Sequence, residues 1–406
     1  MTAIVGVLNK HAVAIAADSA VTLGGGKKVL NTASKLFALP SGHNVAIAVY
    51  GNAEFLGTPW EVIIKEYCKQ LKKKPLPSLR QYVDDFQIFL KRRNYFCTSR
   101  DAKFYLKASV QILFMTMARL LNEKNEAIDR ILYKMEKAKG QPLVGGFTED
   151  TVNEFMRLAS SEIEEGYKAL KKEGFTNTLD ETKELVKALF TRDVSPMGKA
   201  GLVFAGYGES DIFPSIYDCA VGCVVDGLLE KVVKRTSKID KFHPSDICPF
   251  AQTDVMKTML DGVSPRMQSV YMKTLALTFT KLKEEMSELI QNDNPDLAAR
   301  IQGMNISPFG AMFFKISKSI QEKEYSDPFV ESVAHLEKED LADFAESLIT
   351  LTSLKRKISH DQETVGGPVD VMVISKGDGV IWMKKKEYFD SDKNPQYMSK
   401  YYHYND

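Results

Sequence analysis

The first twenty residues constrain the fold more than any other part of the chain. Residues 4–7 and 12–17 are almost entirely apolar, and a turn at Asn9 and Lys10 separates the two runs. Two short apolar runs joined by a turn are typical of a buried β-hairpin. Chain ends are usually frayed and exposed. Because this hairpin starts at the second residue, the sequence predicts an N-terminus held inside a sheet, for a structural or a chemical reason.

Charge and composition argue against several classes of protein. The 406 residues carry 54 basic and 53 acidic side chains, so net charge favours neither nucleic acid nor an anionic membrane surface. No apolar run reaches the roughly 18 residues of a transmembrane helix, and no secretory signal is present. The five cysteines are scattered and predict no disulfide framework. We expect a cytoplasmic protein with no nucleic-acid partner and no membrane partner.

Strand-like and helical regions alternate along the chain. Apolar runs predict strands in residues 2–50, 199–230 and 366–384, and a 3.6-residue period predicts helices between them. The order is not the strict βαβ alternation of a doubly wound fold, and it predicts an α+β class with helices packed outside the sheets. We expect three units: a core of residues 1–94 and 198–385, a helical insertion at 95–197 and a polar tail at 386–406.

The glycine-rich and histidine-containing segments give no cofactor signal. The segments "LGGGKK", "AGYGES" and "TVGGPVD" lack the spacing of a phosphate-binding loop or a dinucleotide fingerprint, and we interpret them as turns or bends. The six histidines lie apart from one another and from any metal-ligand spacing. The sequence therefore predicts no cofactor and no metal.

The N-terminal threonine is the strongest candidate for chemistry. A threonine hydroxyl is a weak nucleophile unless a base adjoins it, and a free α-amine, with a pKa of about 7.7–8.0, would lie on the same residue. Such a site also needs a cation, a carboxylate that orients it, and N–H donors for an oxyanion. Asp18 ends the second predicted strand, Lys35 begins the third, and Gly51 ends the fourth at a strand-to-helix turn. Each residue alone is more often structural, and only their order together with Thr2 favours a site.

The same segments resemble proteasome β-subunits and HslV-type peptidases, which are N-terminal-nucleophile hydrolases. The matching stretches are Thr2, "AIAADSAVT" at 14–22, "SKLFAL" at 34–39, "AIAVYGNAEF" at 46–55, "GLVFAGYG" at 201–208 and "VGGPVDVMVISKGDGVIWM" at 365–383. The resemblance implies an α+β four-layer αββα sandwich with the helical insertion added to it. It also implies that Met1 is removed so that Thr2 becomes the first residue.

The resemblance assigns site residues one by one. It implies Thr2 as the nucleophile with its own amine as the base, and the Gly51 N–H as the oxyanion donor. Asp18 would orient Lys35, which would tune the hydroxyl and the amine. The remaining assignments are Ser19, in the Asp-Ser pair, and Asp361, in "HDQETVGG" before the closing hairpin.

Three functions remain open at the level of the sequence. The first is a cytoplasmic threonine peptidase or amidase that acts on a peptide or protein, forms a homo-oligomer and is served by an unfoldase or regulatory partner. The second is a non-catalytic scaffold or partner-binding subunit, because "ICPFAQTDVMK" has no serine where the family has one and Val365 stands where a second serine is expected. The third is an amidase for a small molecule. Long helices and a tyrosine-rich tail at 397–404 are the basis for expecting an oligomer.

Overall fold

The computed structural model describes residues 2–23, 28–71, 73–92, 99–125, 127–143, 147–192, 200–225, 228–359, 365–390 and 392–396. The strands are β1 (Ala3–Asn9), β2 (Ala12–Ala17), β3 (Val21–Leu23), β4 (Lys28–Leu30), β5 (Leu36–Ala38), β6 (Val45–Gly51), β7 (Glu54–Phe55), β8 (Thr58–Pro59), β9 (Ala200–Gly206), β10 (Ser215–Val225), β11 (Leu228–Lys238), β12 (Ser245–Ala251), β13 (Asp370–Ser375) and β14 (Gly379–Lys384). The helices are α1 (Trp60–Gln70), α2 (Leu79–Arg92), α3 (Ser99–Asn122), α4 (Ala127–Lys139), α5 (Glu149–Lys172), α6 (Leu179–Thr191), α7 (Asp254–Asp261), α8 (Pro265–Ile290), α9 (Pro295–Gln302), α10 (Ser307–Gln321), α11 (Asp327–Val333) and α12 (Lys338–Ile358).

The N-terminal hairpin lies at the centre of the first sheet. This sheet has the strand order β12-β1-β2-β13-β14, and all its neighbouring strands are antiparallel. Every residue of β1 and β2 is buried, which confirms the predicted buried hairpin. The predicted closing hairpin is confirmed as β13 and β14.

The second sheet contains the strands that follow along the chain. Its order is β11-β10-β9-β6-β5, again antiparallel throughout. Two short hairpins, β3-β4 and β7-β8, lie outside both sheets. The class is therefore α+β, with antiparallel sheets and helices packed around them.

Alternate residues of β1 enter two different cores, as the two-residue period of a strand requires. Ile4 and Leu8 pack in a core shared with Ala48 and Val203 of the second sheet, so the two sheets face each other. The side chains of the opposite parity pack under helix α12, with α7 and α11 nearby; they include Ala3, Val5 and Val7. The outer face of the second sheet is covered by α1 and α2.

The described part of residues 95–197 is helical, as the sequence predicts. Its helices α3, α4, α5 and α6 enclose a hydrophobic core of their own, which includes Phe114, Phe155 and Phe190. By length and composition alone, one stretch in the described ranges, Lys103–Asn122 within α3, could cross a membrane, and 39% of it is buried. Its apolar side chains Leu106 and Val110 belong to that same core.

Two elements differ from the sequence prediction. Strand β12 lies outside all the predicted strand ranges, because "SDICPFA" combines a charged residue with a proline and shows no alternation. After Gly51 the sequence predicts an immediate helix, whereas the hairpin β7-β8 comes first and α1 begins only at Trp60. The predicted tyrosine-rich tail at 397–404 lies outside the described residues.

Gly206, at the end of β9, lies in close contact with the backbone of the neighbouring strand region. Its φ angle is +133°, and a Cβ there would lie 2.1 Å from the carbonyl oxygen of Asn44. We expect Gly206→Ala to lower the free energy of unfolding by about 2 kcal/mol or more, because it adds both backbone strain and a clash. Urea denaturation measures this change. Gly377→Ala is the control, since a Cβ there meets nothing within 4 Å; an equal loss in both variants would contradict the prediction.

Candidate active site

Thr2 lies at the edge of the first sheet, immediately before β1. Its carbonyl oxygen accepts a hydrogen bond from the N–H of Gln252 (3.2 Å), which extends the pairing of β1 with β12 by one residue. Thr2 is only 7% exposed. Ala251, the residue before Gln252, has a φ of +62°. This left-handed conformation is unfavourable for a residue with a Cβ. A strained backbone segment therefore adjoins Thr2.

The Asp18 carboxylate lies at the end of β2 and is fully buried. One oxygen, Oδ1, accepts hydrogen bonds from the Ala3 N–H (2.9 Å) and from Nζ of Lys35 (2.6 Å). The other oxygen, Oδ2, accepts from the N–H groups of Ala20 (3.1 Å) and Gly366 (3.2 Å). Four donors satisfy this charge, which is what burial of a carboxylate requires.

Lys35 enters the site from the second sheet, directly before β5. Its ammonium donates to Asp18 and to the carbonyl oxygen of Ala20, both at 2.6 Å, and the residue is 4% exposed. Burial lowers the pKa of Lys35, against the opposing effect of Asp18, and the nearby Lys386 lowers this pKa further. An ammonium carries three N–H donors, and within the described residues two of them have acceptors.

Thr2, Lys35 and Gly51 line one cavity of about 250 Å³ between the edges of the two sheets. Gly51 ends β6 with a φ of +82°, a conformation that glycine adopts without strain. The other lining residues are Val21, Ala33, Ser34, Phe37, Val49, Tyr50, Asn52, Ala53, Pro59, Trp60 and Glu61. The structure thus brings three of the predicted site residues to one cavity and places Asp18 behind Lys35.

The other two predicted site residues are placed differently. The hydroxyl of Ser19 donates to the carbonyl oxygen of Pro368 (2.7 Å), and its N–H donates to the carbonyl of Gly366 (3.1 Å). Ser19 therefore fastens the segment before β13 to the end of β2. Asp361 lies outside the described residues.

Two aromatic residues of the cavity wall were not predicted from the sequence. The Tyr50 hydroxyl donates to the carboxylate of Asp218 (2.8 and 2.9 Å), a contact between β6 and β10. Burial raises the pKa of the Asp218 carboxyl and that of the Tyr50 phenol. Trp60 is 2% exposed, and its indole N–H has no acceptor in the part of the chain that the structure describes. One indication of this contact is present in the sequence: Tyr50 is a polar aromatic residue near the end of an otherwise apolar strand.

Within the described ranges, no group of three or more histidine, cysteine, aspartate or glutamate side chains could hold a metal ion. Two buried lysine–aspartate pairs lie close together on this side of the sheets. Besides Lys35 and Asp18, the ammonium of Lys386 contacts the carboxylate of Asp370, and the Lys386 N–H donates to the same side chain (2.8 Å).

Comparison with known proteins finds distant neighbours among solved structures. No protein-family model matches the sequence, and no curated protein matches it. The Anbu (Gly-1) mutant from Hyphomicrobium sp. strain MC1 is 10% identical, covers 98% of this chain and 97% of its own, and has a TM-score of 0.33. Anbu (ancestral beta-subunit) from Yersinia bercovieri is 8% identical, with coverages of 99% and 97% and a TM-score of 0.28. At these values no site residue is transferred from either protein.

The buried ion pair is the first feature to test. We expect Asp18→Asn to destabilise the protein by about 3–5 kcal/mol, because it leaves the Lys35 ammonium buried without a countercharge. Chemical denaturation measures this loss. The control is Glu136→Gln, which removes an exposed pair with Lys139 (2.8 Å) and should change stability by at most about 0.5 kcal/mol. Equal effects in the two variants would refute the structural role assigned to Asp18.

The lowered pKa of Lys35 predicts how the stability of the protein depends on pH. Between that lowered pKa and the ordinary value of about 10.4, the unfolded chain binds more protons at this residue than the folded chain does. The contribution of Lys35 to stability should therefore rise as the pH rises through this window. We expect the difference in unfolding free energy between the parent and Lys35→Met to grow from neutral to alkaline pH. A difference that stays constant across this pH range would contradict the prediction.

Proposed function

We propose that this chain is a threonine peptidase or amidase of the N-terminal-nucleophile type, acting through Thr2 after removal of Met1. One observation carries the proposal: Thr2, Lys35 and Gly51 line a single cavity, and Asp18 holds Lys35 in place. These are the nucleophile, cation, oxyanion glycine and orienting carboxylate that such chemistry needs.

The layering of the core supports the same proposal. The two sheets share an inner core, and each outer face is covered by helices. We take this arrangement to be the αββα sandwich expected from the resemblance, with α3–α6 as an insertion into it. In such a sandwich a residue at the beginning of β1 lies at the edge where both sheets end, as Thr2 does.

The proposed reaction uses the hydroxyl and the amine of one residue. The Thr2 hydroxyl oxygen forms a bond to the substrate carbonyl carbon, and its proton passes to the α-amine. The C–N bond of the substrate then breaks, and the departing amine takes that proton. Water, activated by the α-amine, hydrolyses the resulting ester and releases a carboxylic acid and free Thr2.

Lys35 supports this chemistry by its charge. A buried ammonium close to the α-amine disfavours the protonated amine, which lowers the pKa of the amine and leaves it free to accept the hydroxyl proton. The burial of Lys35 strengthens this effect because water screens a buried charge weakly. In the oxyanion role, the backbone of Gly51 faces the negative charge that develops on the carbonyl oxygen.

The cavity wall supports a peptide-like substrate over a small molecule. A second cavity of about 440 Å³ shares Ser34, Phe37 and Glu61 with the first one. Together they provide a groove longer than the Thr2 cavity alone.

The decisive experiment labels the nucleophile. The full chain is prepared with Thr2 first, from a fusion cleaved before Thr2, and is exposed to a peptide epoxyketone, which reacts with a hydroxyl and an amine on one residue. We expect one adduct, on Thr2. Thr2→Ala and Lys35→Ala should abolish it, since the first removes the nucleophile and the second the cation, whereas Thr2→Ser should retain it. Intact mass and peptide mapping identify the labelled residue.

Two controls separate chemistry from folding. Thr278→Ala changes an exposed threonine of α8 whose hydroxyl donates to the carbonyl oxygen of Thr274, and it should label like the parent. A chain with an added N-terminal tag keeps every side chain but blocks the amine, and it should not label. A folded chain with free Thr2 that ignores the probe and cleaves no peptide would refute the proposal and favour a scaffold.

A further inference from the structure

The segment 265–321 has almost no core of its own. Helices α8, α9 and α10 of this segment, called here the helical arm, pack mainly on one another and on α7. The only buried residue of α8 is Ser287, α9 buries only Ala298, and α10 buries none. Ser287 donates to the carbonyl of Ala298 (3.1 Å), and Phe279 contacts Phe309 with ring centroids 5.7 Å apart.

The arm is nevertheless rich in apolar side chains that face water. Fifteen large apolar residues between 265 and 321 are 39–82% exposed, among them Leu277, Leu289 and Phe313. Helices in proteins gain most of their stability from packing an apolar face, and a helix such as α10 with no buried residue lacks that contribution. Among the described residues of the single chain, nothing covers the apolar side chains of the arm.

The exposed apolar area fits a protein interface. At about half exposure and roughly 150–200 Å² for a large apolar residue, fifteen such residues present roughly 1,000–1,500 Å². A standard interface buries about 800 Å² on each partner. Most monomers expose no apolar patch larger than a few hundred Å².

The charges of the arm favour a second copy over a lipid surface. The segment 265–321 contains seven basic and five acidic residues, so it is nearly neutral. Glu284, Glu285 and Glu288 lie together on α8 next to Lys281 and Lys283, and Lys281 approaches Glu285 (3.9 Å). A helix that binds anionic lipid has a mainly basic polar face. A helix surface that carries both positive and negative side chains can instead pair with the same surface of a second copy in antiparallel orientation, so that opposite charges meet.

We propose that the helical arm pairs with the arm of a second copy of this chain. The two arms form an isologous helical bundle, in which the apolar residues of each arm cover those of the other. This interface is independent of the chemistry proposed for Thr2.

Sedimentation velocity of the full chain, from below one to tens of micromolar, tests the pairing. We expect the parent to sediment as a dimer of the 45.6 kDa chain. Leu277→Glu and Phe313→Glu each place a charge in the interface and should weaken the dimer at least about 100-fold. Both residues are exposed in the single chain, so circular dichroism should show folded variants.

A matched control places the same charge elsewhere. Phe242, outside the arm, is 88% exposed, and Phe242→Glu should leave the dimer unchanged. A parent that is monomeric at tens of micromolar would overturn the proposal, as would a dimer that survives both arm variants. Flotation of a monomeric parent with phosphatidylserine vesicles, lost in Phe313→Glu, would assign the arm to a membrane instead and equally overturn it.

Discussion

The ion pair between Lys35 and Asp18 joins the two halves of the core. Asp18 belongs to the first sheet and Lys35 to the second, and both are nearly inaccessible to water. Removal of two charges from water costs several kcal/mol per ion unless each polar atom finds a partner. The surrounding backbone meets this demand: Ala3, Ala20 and Gly366 supply the other donors and an acceptor. The start of β1, the turn after β2 and the segment before β13 are therefore positioned by one carboxylate.

This arrangement also fixes the surroundings of Thr2. Ala3 is bound to the carboxylate of Asp18, and Thr2 is bound to β12 through Gln252, so the threonine is held from two sides. A second pair, Lys386 with Asp370, lies close to Lys35: the Lys386 ammonium lowers the pKa of Lys35, and the Asp370 carboxylate raises it. Asp370 is opposite Ala17 in the sheet, one residue from Asp18, so strand register places both carboxylates at one edge. The electrostatics of the cavity thus follow from the pairing of β2 with β13.

Local sequence patterns predicted most of the strands and helices, but they could not predict contacts between residues far apart in the sequence. The apolar runs of β1 and β2 and the turn at Lys376–Gly379 carry their own signals, so both hairpins were predictable. Strand β12 was not, because its partner β1 lies about 240 residues away and its residues do not alternate. The hydrogen bond from the Gly366 N–H to Asp18 was also unpredictable, because these residues are far apart in the sequence. The nearness of Asp18 and Lys35 was expected from a family resemblance. Nothing in the sequence indicated that the Ala20 carbonyl accepts a hydrogen bond from Lys35.

The energetics of the buried pair bear on the choice between an enzyme and a scaffold. A scaffold needs only a tie between the sheets, and well-packed apolar residues provide such a tie as well as a buried ion pair or better, by about 1–4 kcal/mol in measured replacements. The pair in this protein is therefore a costly solution to a purely structural need. Lys35 lines the same cavity as Thr2, and both oxygens of the Asp18 carboxylate accept two hydrogen bonds each. A charge maintained at that position has a use if a nearby amine must remain unprotonated, which is the condition for Thr2 to act as a nucleophile.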